Sequence, residues 1–128
     1  MISGIVNTSN EAVLRLVAFA PENAEVEFDG VVDTGFSGDL TLPSALIDAL
    51  GLRWLGIEVG EMADGREELF DVYSGQIIWD GEPRRVEVEA AETFPLIGMN
   101  LLLGYCLKIN VVPGGTVEIG LLSMKSNT

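Results

Sequence analysis

Residues Val31 to Pro43 read VVDTGFSGDLTLP, and no other stretch limits the fold as strongly, because an apolar strand here ends on one carboxylate and is left at once. Val31 and Val32 are β-branched and suit a buried strand, while Gly35 and Gly38 release the backbone from a sheet and permit close approach of another group. Asp33 is therefore presented at a strand end rather than spread over a solvated face. Thr34 adds a hydroxyl able to bond across a tight turn. A carboxylate held this way can act as a general acid or base, provided a neighbour brings its titration into a useful range. The chain contains one such motif, and Asp-Thr-Gly on its own is also ordinary turn chemistry.

The pattern around it is extended. EAVLRLVAFA (Glu11 to Ala20) is rich in β-formers, Pro21-Glu22-Asn23 makes a turn, and Glu25-Val26-Glu27-Phe28 alternates, which predicts a hairpin running into the strand that ends at Asp33. Pro43 fits a first helical turn, Leu46, Ile47 and Leu50 share one face, and Gly51 is a C-terminal stop, predicting a short helix over 43–50. From Gly56 to Ala90, turns at Asp64-Gly65 and Asp80-Gly81 predict two successive hairpins. The apolar LIGMNLLLGYCLKINVV after Pro95 is expected to be mostly buried, and Pro113-Gly114-Gly115 turns it into a last strand over Thr116 to Leu122. Trp54 and Trp79 are expected in packing, and Glu58, Glu61, Glu67 and Glu68 on solvated faces. These elements predict an all-β fold, a small closed β-barrel with one or two short helices, in one domain over residues 1–124, with Lys125 to Thr128 as a frayed tail.

Charge and composition narrow the chemistry. Twenty acidic residues against seven basic give a formal net charge of −13, which opposes binding to nucleic acid or an anionic membrane. The first 21 residues lack the basic start and unbroken apolar core of a signal peptide, and no run reaches the roughly 18 apolar residues of a membrane span. A soluble, cytoplasmic protein is expected. The single cysteine, Cys106, can form no intramolecular disulfide and reads as a small core residue. The chain has no histidine, which removes the commonest zinc ligand and the usual serine-hydrolase base. Carboxylate chemistry is what remains, with no metal and no cofactor expected.

With its DTGFSG followed by LTLP, the sequence resembles the retroviral-type (retropepsin-like) aspartic peptidases, in particular their small bacterial and archaeal single-domain members. The resemblance extends beyond the motif. The helix ended by Gly51, the hairpin turn Ala63-Asp64-Gly65-Arg66, and Leu96-Ile97-Gly98-Met99-Asn100-Leu101-Leu102 follow in the order of the family's helix after the active-site loop, its flap, and its apolar-apolar-Gly segment behind that loop. The resemblance implies that Asp33 activates water, that Thr34 bonds to its mate across a dyad, and that Gly35 lets substrate lie close. It further implies that residues 59–73 form a flap, and that Phe36, Ser37, Met62, Ala63, Asp64, Gly65 and Ile97 border an extended peptide substrate. Two departures stand out. Phe36 replaces the small or hydroxylated residue more usual there and removes a donor to the carboxylate, which predicts activity in mildly rather than strongly acidic solution; a pH optimum below about 3 would refute this. Met99 and Ser37 stand where retroviral members commonly pair Arg with Asp, so that ion pair is missing from both sides at once.

One ionised Asp cannot be both the base that activates water and the acid that protonates a leaving amine. Two carboxylates about 3 Å apart cannot both ionise and so share a proton, which supplies both roles. With one motif per chain, the enzymatic reading requires a homodimer with the site on its two-fold axis. The alternative is a peptidase-like module that dimerises or binds peptides without cleaving them. A third reading, Asp33 as a phosphoryl acceptor in an α/β hydrolase, lacks the strand-helix alternation that class needs.

Overall fold

A computed structural model describes residues 1–123; the tail expected at 125–128 lies outside the described residues. The elements are β1 (Ile2–Val6), β2 (Ala12–Phe19), β3 (Glu25–Val32), β4 (Leu40–Leu42), α1 (Ser44–Leu50), β5 (Arg53–Glu61), β6 (Glu67–Trp79), β7 (Glu82–Ala90), β8 (Leu96–Ile97), α2 (Met99–Leu102), β9 (Tyr105–Ile109) and β10 (Thr116–Leu121). The fold is all-β, as the pattern predicts.

The strands join in the order β5-β6-β7-β4-β8-β3-β2-β1-β10-β9, and a further pairing of β2 with β6 at Ala18 and Ile77 turns six of them into a ring. Alternation explains what fills it. In β2, Ala12, Leu14, Leu16 and Ala18 point inward and Arg15 outward; Ile77 and Trp79 of β6, Val86 and Val88 of β7, and Val117 and Ile119 of β10 complete the core with Leu40, Leu42, Ile47, Leu50, Ile97 and Leu101. Trp79 meets Tyr105 edge-on at a centroid distance of 5.9 Å.

The turns follow local chemistry. Asp80 and Gly81 both take positive φ (53° and 80°), the conformation a two-residue hairpin turn requires. α1 buries Ile47 and Leu50 and stops at Gly51 in the left-handed region (φ 62°); Pro43 is its N-cap rather than its first helical residue.

Two short strands position the site. β8 pairs in parallel with β3 (Val31 with Leu96, Val32 with Ile97) and antiparallel with β4 (Leu40 with Ile97). It is thus wedged between two strands that the chain joins directly through residues 33–39, and that loop must arch over its end.

Three expectations about burial are corrected. Within the run after Pro95, Ile97, Leu101 and Leu102 are buried, but Met99, Leu103, Val111 and Val112 are exposed, because α2 is a single turn and the two valines lie in the loop beyond β9, which is at the sheet edge with one face outward. Cys106 sits on that outward face and is exposed, not in the core. Trp54 is 56% exposed; its indole N–H donates to Asp71 at 3.0 Å, so it is held by a polar contact on the surface. Among the described residues no helix is long and apolar enough to cross a membrane.

Candidate active-site loop and cleft

Asp33 leaves the sheet at the end of β3, half-buried, with its backbone N–H donating to the Ile97 carbonyl at 2.9 Å. Its Oδ1 accepts the Gly35 N–H at 2.9 Å, and its carbonyl accepts the Phe36 N–H at 3.1 Å, so the turn folds back on the carboxylate. The remainder of the loop is tied to β8 and α2. The Gly98 N–H donates to the Asp39 carbonyl at 2.9 Å, Met99 N–H to that of Phe36 at 2.8 Å, and Asn100 N–H to that of Gly38 at 3.1 Å. A Cβ at Gly98 would lie 2.1 Å from the Gly38 oxygen and 2.6 Å from Phe36 Cδ2, which is why a glycine occupies this position.

Asp39 does work that the sequence reading missed. Its Oδ1 accepts the Asn100 amide at 2.7 Å and its Oδ2 the Glu87 backbone N–H at 2.9 Å, locking the loop to α2 and β7. Ser37 and Met99, the positions of the missing ion pair, are both exposed, and the Asp39–Asn100 bond lies close beside them. An Asp after a glycine and an Asn in a helical turn are too common to be distinguished in a single sequence.

The β5–β6 hairpin reaches beyond the ring. β7 pairs with β6 only from Val72 to Trp79, so the part of β6 before Val72 has β5 as its sole sheet neighbour and projects as a two-stranded ribbon. Its tip is built by Asp64, which accepts from the Arg66 N–H and Nε at 3.0 and 2.6 Å, and by Gly65 at φ 84°. The ribbon carries Ile57, Val59 and Leu69, each more than half exposed, among the exposed carboxylates Glu58, Glu61, Glu67 and Glu68.

Between ribbon and loop runs a cleft with two lobes. One, of about 650 Å³, is lined by Gly35, Phe36, Ser37, Asp39, Val59 and Asn100 among others; the second, of about 710 Å³, by Thr41, Ser44, Met62, Leu69 and Ala90. Phe36, Gly60, Glu61, Phe70 and Glu89 border both. Asp33 and Thr34 open instead on a separate groove of about 420 Å³, walled by Val31, Val32, Leu96, Ile109 and Val111. The structure therefore brings Gly35, Phe36, Ser37 and Met62 to the cleft. Ala63, Asp64 and Gly65 are exposed at the ribbon tip and line neither lobe. Ile97 is corrected: at 0% exposure its side chain is core, and its part is to hold Asp33 through its carbonyl.

The cleft is strongly acidic, with Glu58, Glu61, Glu87 and Glu89 on one lobe and Glu68, Asp71 and Glu92 on the other. Burial, and then the like charges of Glu58, Glu87 and Asp39, push the Glu89 carboxyl above the usual carboxylate range. A raised carboxyl favours the protonated fold, so this group's contribution is fully present below its unfolded pKa and is lost as pH rises through the folded one. Glu89→Gln is expected to raise the melting temperature at pH 7, with the gain vanishing as pH falls below the ordinary glutamate range; melting curves at a series of pH values test this. Glu92 moves the other way, held below its usual range by the Ser44 hydroxyl and by the Ser44 N–H, which donates at 2.8 Å. Among the described residues no group of three or more His, Cys, Asp or Glu is arranged to hold a metal ion.

Compared with known proteins, the chain matches no family model, no curated sequence and no solved structure.

Proposed function

We propose that this chain is an aspartic endopeptidase that works as a homodimer, with the Asp33 carboxylates of two copies activating one water against an extended peptide. The observation that carries this reading is the loop itself: Asp33 is fixed at a strand end by its backbone N–H to the Ile97 carbonyl and by the Gly35 N–H to its carboxylate, and the same loop carries Gly35, Phe36 and Ser37 on to the cleft beneath the projecting hairpin. Further support comes from where Asp33 and Thr34 open. Their groove is walled by Val31, Val32, Leu96, Ile109 and Val111 together with Asn10 and Glu11, a mixed surface against which a second copy would bring its own loop to meet the first. The ribbon supplies free strand edges for main-chain bonds to a peptide, and it sets Val59 and Leu69 along the cleft where one would lie. An exposed, unpaired Cys106 suits a reducing compartment such as the cytoplasm.

The test is digestion of a diverse peptide library between pH 3 and 8 at several protein concentrations, alongside sedimentation. Cleavage whose specific rate climbs with dimer content supports the reading. A verified dimer that binds extended peptides and leaves them intact would replace it with the non-catalytic module.

A further inference from the structure

The five arginines of the chain all lie among the described residues, and their partners divide them. Arg15 reaches Asp29 at 2.6 Å and Glu27 at 3.3 Å, Arg66 reaches Asp64 at 2.6 Å, and Arg84 donates to the Leu101 carbonyl at 3.2 Å. Arg53 and Arg85 have no such partner among the described residues, in a chain with twenty carboxylates to offer. Both line one cavity of about 510 Å³, which shares no residue with the cleft or with the Asp33 groove.

Sheet register explains how they meet. Ser74 and Gln76 are two apart on β6 and so share a face; Arg53 is the cross-strand partner of Ser74 on β5, and Arg85 that of Gln76 on β7. Arg53 and Arg85, both exposed, thus flank Ser74 and Gln76 from the two neighbouring strands of one face. The turn after β2, with Asn23, and the end of α1 wall the cavity on its other sides.

We propose that this cavity is an oxyanion site, taking a phosphoryl or carboxylate group of a small molecule between Arg53 and Arg85, with Ser74, Gln76 and Asn23 as neutral hydrogen-bonding groups. Guanidinium forks match planar or tetrahedral oxyanions, two exposed ones line this cavity while no carboxylate does, although Glu87 is the cross-strand partner of Ser74 on β7, and the volume suits one small ligand. The site is independent of Asp33 and its chemistry.

Titration calorimetry of the full chain at low salt, with inorganic phosphate and separately with succinate, tests it. One saturable site is expected for at least one anion, weakened about tenfold or more in Arg53→Gln and in Arg85→Gln, with amide shifts at Ser74 and Gln76 in nitrogen-15 spectra. The preferred anion distinguishes a phosphoryl source from a carboxylate one. Saturation by neither anion, or equal binding by the double variant, would overturn the proposal and leave the two arginines as cations beside the carbonyl end of α1.

Discussion

Asp33→Asn is expected to abolish detectable peptide cleavage, a loss of at least about 10²–10⁴-fold for removal of an acid–base group, while leaving fold and dimer intact. Asn is the informative replacement because its Oδ1 can still accept the Gly35 N–H, which Asp33 accepts at 2.9 Å, so the turn keeps its closure. The proposed dimer adds a second, quantitative signature. If wild type and variant are mixed in equal amounts and allowed to exchange, random pairing leaves about a quarter of the dimers with both carboxylates. Activity per wild-type chain should therefore halve, whereas a monomeric enzyme would keep it unchanged. Cleavage that survives Asp33→Asn would end the aspartic-peptidase reading outright.

Gly98→Ala is the second large expectation. The residue has an ordinary extended backbone (φ −100°), so the cost is not conformational; it is the Gly38 carbonyl, 2.1 Å from where the methyl would sit. That carbonyl is backbone and also holds the Asn100 N–H, so it cannot swing aside as a side chain would. Relief requires β8 and the loop to separate, straining the bonds to Asp39, Phe36 and Gly38 together. A loss of about 2–4 kcal/mol is expected by urea unfolding, in the range of overpacked interiors and broken hydrogen-bond networks. Because the same bonds hold the loop that carries Asp33, any cleavage should fall further than the folded fraction does. A variant as stable as wild type would show that loop and β8 are not locked together.

How much of this was legible in the sequence depended on whether a feature was local. The hairpins announced themselves through Asp64-Gly65 and Asp80-Gly81, and α1 through its one apolar face and Gly51, since these patterns act within a few residues. β1 gave little signal: ISGIV has Ser and Gly at its centre, and it becomes a strand by pairing with β10, more than a hundred residues away in the chain. Apolar character misled after Pro95, because alternation along β9, an edge strand, turns Cys106 outward, and Val111 and Val112 lie in the loop beyond it. At the site, the DTG turn was readable as a turn, but the roles of Asp39, Asn100 and Glu89 arise from contacts spanning tens of residues. The cavity between Arg53 and Arg85 is likewise a product of register, which composition does not encode.

The wedging of β8 between β3 and β4 also imposes a schedule. Asp33 is fixed by a carbonyl from Ile97, a residue synthesised only after all of β4 to β7. Long-range pairing of this kind is slow to form, and a growing chain organises from its N-terminal end. An emerging or prematurely terminated chain would therefore display the Asp-Thr-Gly triplet with no strand to hold it. The loop acquires its shape only once Ile97 has been made and β8 has docked, so under the proposed function a molecule made no further than β7 carries the letters of the site without the means to cut its neighbours.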